Sequence, residues 1–255
     1  CEDTMKLFQR LLVAPAALGL MAPVAVNADT AAFTSTTSMS GSAFFTVGAV
    51  SDGGTADDLE ELYMQYAYGL DLDSSFTGED LLHVGIEAGN ATLPLSELDS
   101  AIDSGDGLTV ASMFYAFPVG DLEVTVGPKL LQDDVLAATS SAYSGTFRLS
   151  ALPFSEAGEE EGPGIAVAWS NDNGIVASAS FISVDGANSS IGINADDGND
   201  VSTFTLGYNG EGFGGGLVLA TNDGDLGTAG YDTFGAGVYY SPESVPATFS
   251  VAYDT

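Results

Sequence analysis

The chain has 255 residues, of which 36 are Asp or Glu and only 4 are Lys or Arg, a formal net charge of −32. Such a balance makes nucleic acid and anionic lipid headgroups poor partners, because both are recognised through Lys and Arg clusters. Its 45% hydrophobic residues and 32 glycines exclude an acidic disordered tail, and a single Cys leaves no disulfide framework and no cysteine-based metal site.

In chain order, Cys1–Thr4 precede Met5 and read as upstream residues. Met5–Ala28 has the pattern of a cleaved secretory signal: Lys6 and Arg10, then an apolar run broken by Pro15 and Pro23, then small residues at Val26-Asn27-Ala28. Cleavage there leaves 34 acids (36 less Glu2 and Asp3) and two bases, Lys129 and Arg148. A polar stretch over 29–40 leads into the body of the chain, 41–255. No segment beyond residue 28 holds the roughly 20 consecutive apolar residues that a spanning helix needs.

The body alternates with period two, as a strand with two unlike faces requires. Leu62, Met64, Tyr66, Tyr68, Leu70 and Leu72 form one set, and Tyr63, Gln65, Ala67, Gly69 and Asp71 the other. Beyond the turn Thr77-Gly78-Glu79-Asp80, Leu82, Val84, Ile86 and Ala88 oppose His83, Gly85, Glu87 and Gly89. Leu122, Val124 and Val126 oppose Glu123, Thr125 and Gly127, and the pattern returns at Ile165, Val167 and Trp169 and at Phe249, Val251 and Tyr253. Strands are predicted at 34–50, 59–74, 80–90, 108–118, 121–128, 164–170, 175–183, 201–209, 213–221, 233–241 and 247–254. The connections alternate long and short. The long ones are Ser51–Asp58, Ala91–Gly107, Lys129–Pro163, Val184–Asp200 and Asn222–Asp232.

That rhythm puts the long loops at one end, as in an all-β, antiparallel, up-and-down transmembrane β-barrel. Trp169, Tyr208, Tyr240 and Tyr253 fall near strand ends, where interfacial girdles lie. The alternating run at Thr255 and the odd number of strands imply further strands, since an unclosed barrel leaves backbone groups unpaired in lipid.

Several segments carry a resemblance to a family. Met5–Ala28 (MKLFQRLLVAPAALGLMAPVAVNA), Leu59–Gly69 (LEELYMQYAYG), Phe76–Asn90 (FTGEDLLHVGIEAGN), Gly162–Ala166 (GPGIA) and Gly230–Tyr240 (GYDTFGAGVYY) resemble porins of marine unicellular cyanobacteria. The resemblance implies an outer-membrane channel of roughly sixteen strands, a number in the range of such barrels. It also implies a homotrimer and a loop after the fifth strand that folds inward and narrows the pore. Relatives of this type are described as iron-uptake or carbohydrate-selective porins. Two features depart from the family: the cell-wall-binding module many relatives carry before the barrel, and the closing strand with a terminal aromatic, are both absent from this sequence.

Lys129, Asp133, Asp134, Arg148 and Glu156 lie in the fifth connection and are the candidate constriction residues, where opposed charges would filter solutes by charge and size; the competing reading is a solvated external loop whose acids simply face water. Tyr63, Gln65, Asp71, His83, Glu87 and Glu123 are the candidate pore-lining wall, whose acids favour cations. The expected partners are outer-membrane lipid, small hydrophilic solutes and inorganic ions. No cofactor, metal or catalysis is expected. His83 and Glu87 share a face but stand about 13 Å apart along a strand, beyond acid–base reach, and no G-x-S-x-G turn occurs. The acidic loops Asn194–Asp200 and Thr221–Asp225 do not fit calcium-loop spacing. Gly214-Gly215-Gly216 reads as close packing within a strand. The competing reading is an acidic secreted or surface β-protein with an adhesive or calcium-dependent role, which would hide the apolar face that a membrane barrel exposes.

Overall fold

The computed structural model describes residues 36–49, 61–93, 95–98, 100–138, 160–224, 229–244 and 246–255. The signal segment Met5–Ala28, and Arg148 and Glu156 of the fifth connection, lie outside the described residues. The strands are β1 (Thr36–Gly48), β2 (Tyr63–Ser75), β3 (Leu81–Gly89), β4 (Thr109–Val119), β5 (Leu122–Leu131), β6 (Glu161–Ser170), β7 (Ile175–Ser183), β8 (Asp200–Gly210), β9 (Phe213–Gly224), β10 (Ala229–Tyr240) and β11 (Phe249–Asp254). They form one eleven-stranded sheet whose strand order is the chain order. Apart from two 3-10 turns, Leu95–Glu97 and Asp133–Val135, no helix occurs among the described residues.

The strands group into two packing units. The first holds residues 36–74 and His83–Ala111; the second holds Ser75–Leu82 and the described residues from Ser112 to Thr255. In the second unit every described pairing from β4–β5 to β10–β11 is antiparallel.

The two faces of this unit are opposite in character to those of a soluble sheet. Cross-strand rows on one face read Phe204–Leu219–Phe234, Leu206–Leu217–Ala236–Tyr253, Tyr208–Gly215–Val238–Val251 and Phe213–Tyr240–Phe249. Their large side chains are exposed, Phe204 at 57% and Val251 at 74%. The opposite face carries Ser178, Ser180, Thr203, Thr205, Val218, Ala220 and Thr233, all buried. β9 shows the inversion residue by residue, exposed at Leu217, Leu219 and Thr221 and buried at Val218, Ala220 and Asn222. What core exists is small: Leu130, Ala166 and Ile182, with Phe114 and Val135 packed against them. The run Gly214-Gly215-Gly216 lies within β9, where a Cβ on Gly214 would meet the Tyr208 carbonyl at 2.6 Å and one on Gly215 the Val238 Cα at 3.0 Å. Close strand approach is what the glycines permit.

Several expected boundaries shift. β1 begins at Thr36, within the strand expected at 34–50, the β-branched threonines there being well suited to an extended chain. β5 continues through Pro128 to Leu131, because a register shift between Gly127 and Leu130 accommodates the proline's missing donor. Lys129 is therefore a strand residue, not a loop residue. β6 starts at Glu161, so the fifth connection is 132–160 rather than Lys129–Pro163. β9 runs to Gly224 and β10 starts at Ala229, paired to it through Gly224 and Asn222. The connection expected at Asn222–Asp232 thus contracts to 225–228, shorter than 241–248 after β10, and the long/short rhythm holds only as far as β9.

The β2–β3 turn, 76–80, is organised by one carboxylate. Asp80 Oδ1 accepts from Ser75 Oγ (2.8 Å), the Phe76 and Thr77 amides (3.0 and 2.7 Å) and Thr77 Oγ1 (2.6 Å), while Oδ2 accepts from the Tyr115 hydroxyl (2.6 Å). Burial alone would raise its pKa; hydrogen bonds from Thr77, Tyr115 and Ser75 together reverse this and hold the carboxyl far below the usual carboxylate range. A depressed folded-state pKa contributes stability above the unfolded value, so this contribution is present above about pH 4 and is lost as pH falls below it. Asp80→Ala is expected to lower the thermal midpoint at pH 7 by about 5 °C, read by thermal denaturation. At pH 3 the difference from the parent should shrink, and a difference that grows on acidification would refute the assignment.

Candidate functional site

The small-residue face of the second unit is partly covered from the chain itself. The first residues of the fifth connection, 132–138, fold back over β7 and β8. Gln132, fully buried, donates from Nε2 to Thr203 Oγ1 at 2.6 Å. The Ala137 amide donates to Ser178 Oγ at 3.0 Å, and Ser178 in turn shares a 2.6 Å hydrogen bond with Thr205 Oγ1. Ala138 packs over Gly207, where an added Cβ would stand 2.5 Å from the Ala138 Cβ. Gly207, Gly216 and Gly237 form one row across β8, β9 and β10, so glycine there leaves room for the connection.

Among the candidate constriction residues, Asp133 and Asp134 open the short 3-10 turn of this covering segment and are exposed. Lys129 does not belong with them. It lies in β5 and is held by Glu161 at the start of β6, Nζ to Oε1 2.8 Å, with both side chains partly in solvent. An ion pair so placed is worth at most about 1 kcal/mol.

The candidate wall residues divide between the units. In the first, Gln65 is buried at 3% and donates from Nε2 to the Leu95 carbonyl at 3.0 Å. Tyr63 donates its hydroxyl proton to the Thr92 carbonyl and accepts from the Leu95 amide, each at 2.8 Å. Both residues thus sit beneath a connection. Asp71 is half-buried, with Ser40 Oγ at 3.5 Å. Glu87 is half-buried too, and its backbone carbonyl receives the Thr109 hydroxyl at 3.5 Å. In the second unit, Glu123 is exposed beside Ala168.

His83 is paired with a residue that the sequence reading passed over: Nδ1 lies 2.7 Å from Asp73 Oδ1. The signal was available, because a hairpin that turns through 76–80 brings together residues equally distant from Gly78, and Asp73 and His83 are such a pair. No group of three or more His, Cys, Asp or Glu that could hold a metal occurs among the described residues.

The aromatics expected near strand ends lie in several cross-strand rows. Phe213, Tyr240 and Phe249 share the outermost row at the short-turn end, Tyr208 lies in the next and Tyr253 in the third. Tyr208 and Phe213 stack with ring centroids 5.1 Å apart.

No protein-family profile matches the chain, and no curated protein matches it. Solved structures do. Three substituted variants of the porin of Rh. blastica align over 86% of this chain and 73% of their own, with TM-scores of 0.50, 0.51 and 0.50 and identities of 14%, 13% and 14%. At such identity the likeness is one of fold: an antiparallel, up-and-down sheet in chain order, the strand architecture of an outer-membrane porin.

Proposed function

We propose that the chain forms a porin-type, water-filled channel in a bacterial outer membrane, through which small hydrophilic solutes and inorganic ions diffuse passively with a weak preference for cations. The observation that carries this reading is the sidedness of the sheet. Large apolar side chains are exposed on one face, while the serines and threonines of the other are buried. Lipid contact accounts for the first face, and a polar lumen narrowed by 132–138 accounts for the second. The porin fold supports the same reading, as do the sequence segments that resemble cyanobacterial porins. Export by a cleaved signal and assembly as a homotrimer belong to the same proposal, as do iron or carbohydrate as permeating solutes.

Cation preference follows from the acids. Asp133 and Asp134 are exposed in the covering segment, and Lys129 is the sole Lys or Arg among the described residues. In planar bilayers the reconstituted protein should give discrete conductance steps, and under a salt gradient the reversal potential should carry the sign of cation selectivity. Asp133→Ala should weaken that preference and Arg148→Ala should strengthen it. A clear anion selectivity would overturn the charge argument, and the absence of any conductance would overturn the channel.

A further inference from the structure

The connection between β3 and β4, residues 90–108, has features that an ordinary solvated loop does not need. It is tied to both faces of the first residues of β2. On one face lie Tyr63 and Gln65, whose hydrogen bonds hold Thr92 and Leu95. This is the side of β2 opposite the exposed Met64 (62%) and Tyr68 (36%). Leu95 also packs over Gly48 of β1, where an added Cβ would come within 3.1 Å of Leu95 Cδ1. On the other face the Tyr66 hydroxyl donates to Asp106 Oδ1 at 2.8 Å, and in the plane of the sheet the Tyr66 backbone amide donates to Asn90 Oδ1 at 2.7 Å.

The segment between these ties has structure of its own. Asn90 and Asp103 form a β-bridge. The Ala91 amide reaches the Ile102 carbonyl at 3.0 Å, and Ser96 and Ala101 donate backward to Thr92 and Leu98 at 3.0 and 2.8 Å. Ser104 accepts from the Gly89 amide and donates to the Gly107 carbonyl, both at 2.8 Å. Asp106 is held at φ 64°, in the left-handed region that non-glycine residues rarely occupy. A segment so tied does not swing as a free loop. It fixes the Leu95–Glu97 turn over the polar side of the sheet and buries Gln65 almost completely, leaving Gln65 Oε1 without a partner.

From this placement we infer that 90–108 is a second inward-folded strap, which narrows the channel mouth on the polar side of β1 and β2 and filters solutes there by size. The inference rests on the channel reading above, and it goes beyond the fifth connection as a narrowing element.

Thiol labelling tests it. The sequence has a single Cys, at position 1, so Ser96→Cys in a chain with Cys1→Ser offers one reactive group on the turn. Ser96 is half-buried. Labelling with a bulky methanethiosulfonate, verified by mass, should lower single-channel conductance about two-fold, since added bulk in a narrow water-filled path obstructs ions directly. Separately, Tyr63→Phe combined with Gln65→Leu should release the turn and raise conductance, with added open-channel noise. A labelled thiol that leaves conductance unchanged overturns the strap, as does a thiol that stays unreactive in a conducting channel; in both cases the channel itself stands. A protein that never conducts overturns the channel and the strap together.

Discussion

Leu219→Arg is expected to destabilise the membrane-inserted chain by about 2–4 kcal/mol, the range for a cation placed at the midplane of a lipid-facing barrel wall. The expectation follows from where Leu219 sits. It lies near the middle of β9, is 52% exposed, and is flanked in register by Phe204 on β8 and Phe234 on β10, themselves exposed. If this face met water, a charge there would change stability by no more than about 0.5 kcal/mol. The strand supplies its own depth control, because Thr221 and Asp223 continue the same exposed face toward its end. Thr221→Arg should cost only about 0–1 kcal/mol, as cations do near an interface, and Asp223 is already an acid there. Denaturant unfolding of the protein in lipid vesicles reads all of these. Equal tolerance of arginine at 219 and 221 would remove lipid from this face, and with it the channel.

The eleven strands were legible because alternation survives in almost every one, and because both faces were informative: leucines, valines and aromatics on one, alanines, serines and threonines on the other. Which face is exposed was also implicit in Leu62–Leu72, and Leu62 (70%) and Met64 (62%) are indeed exposed where Gln65 and Ala67 are buried. Ends were harder. Gly127-Pro128 reads as a stop, since proline cannot donate to a ladder, yet a local register shift carries β5 past it. Gly162-Pro163 reads as loop for the same reason, although Gly162 lies so close to the Ser183 backbone that glycine is what lets β6 and β7 pack. The acidic stretch Thr221–Gly224 looks like a loop tip because it is polar, but strand ends at a rim face water and tolerate such residues. Contacts between the connections and the wall were not legible at all. Nothing in the sequence links Gln132 to Thr203, 71 residues away, and no periodicity marks Tyr63 and Gln65 as anchors for Leu95.

The Gln132 contact yields the other large effect, in which conductance and stability should separate. Gln132 Oε1 is buried without a hydrogen-bond partner, and only Nε2 is satisfied, by Thr203. Gln132→Leu therefore removes an unsatisfied acceptor along with one hydrogen bond, and its net effect on stability should stay within about 1 kcal/mol. Ser178→Ala differs, because it strips the Ala137 amide of its acceptor and leaves a partly buried donor unpaired, at about 1–3 kcal/mol. Both changes loosen the same segment, 132–138, so their effects on the channel should not add. Either pin alone would hold the segment near β7 and β8, and each single substitution should raise conductance little. With both pins gone, the segment loses these two hydrogen-bonded ties to the wall, and single-channel conductance should rise about two-fold. Coupling of this kind is expected where two contacts restrain one element. A double variant that folds, inserts and conducts as the parent does would show that 132–138 lies clear of the ion path, and the constriction would have to be sought in another connection.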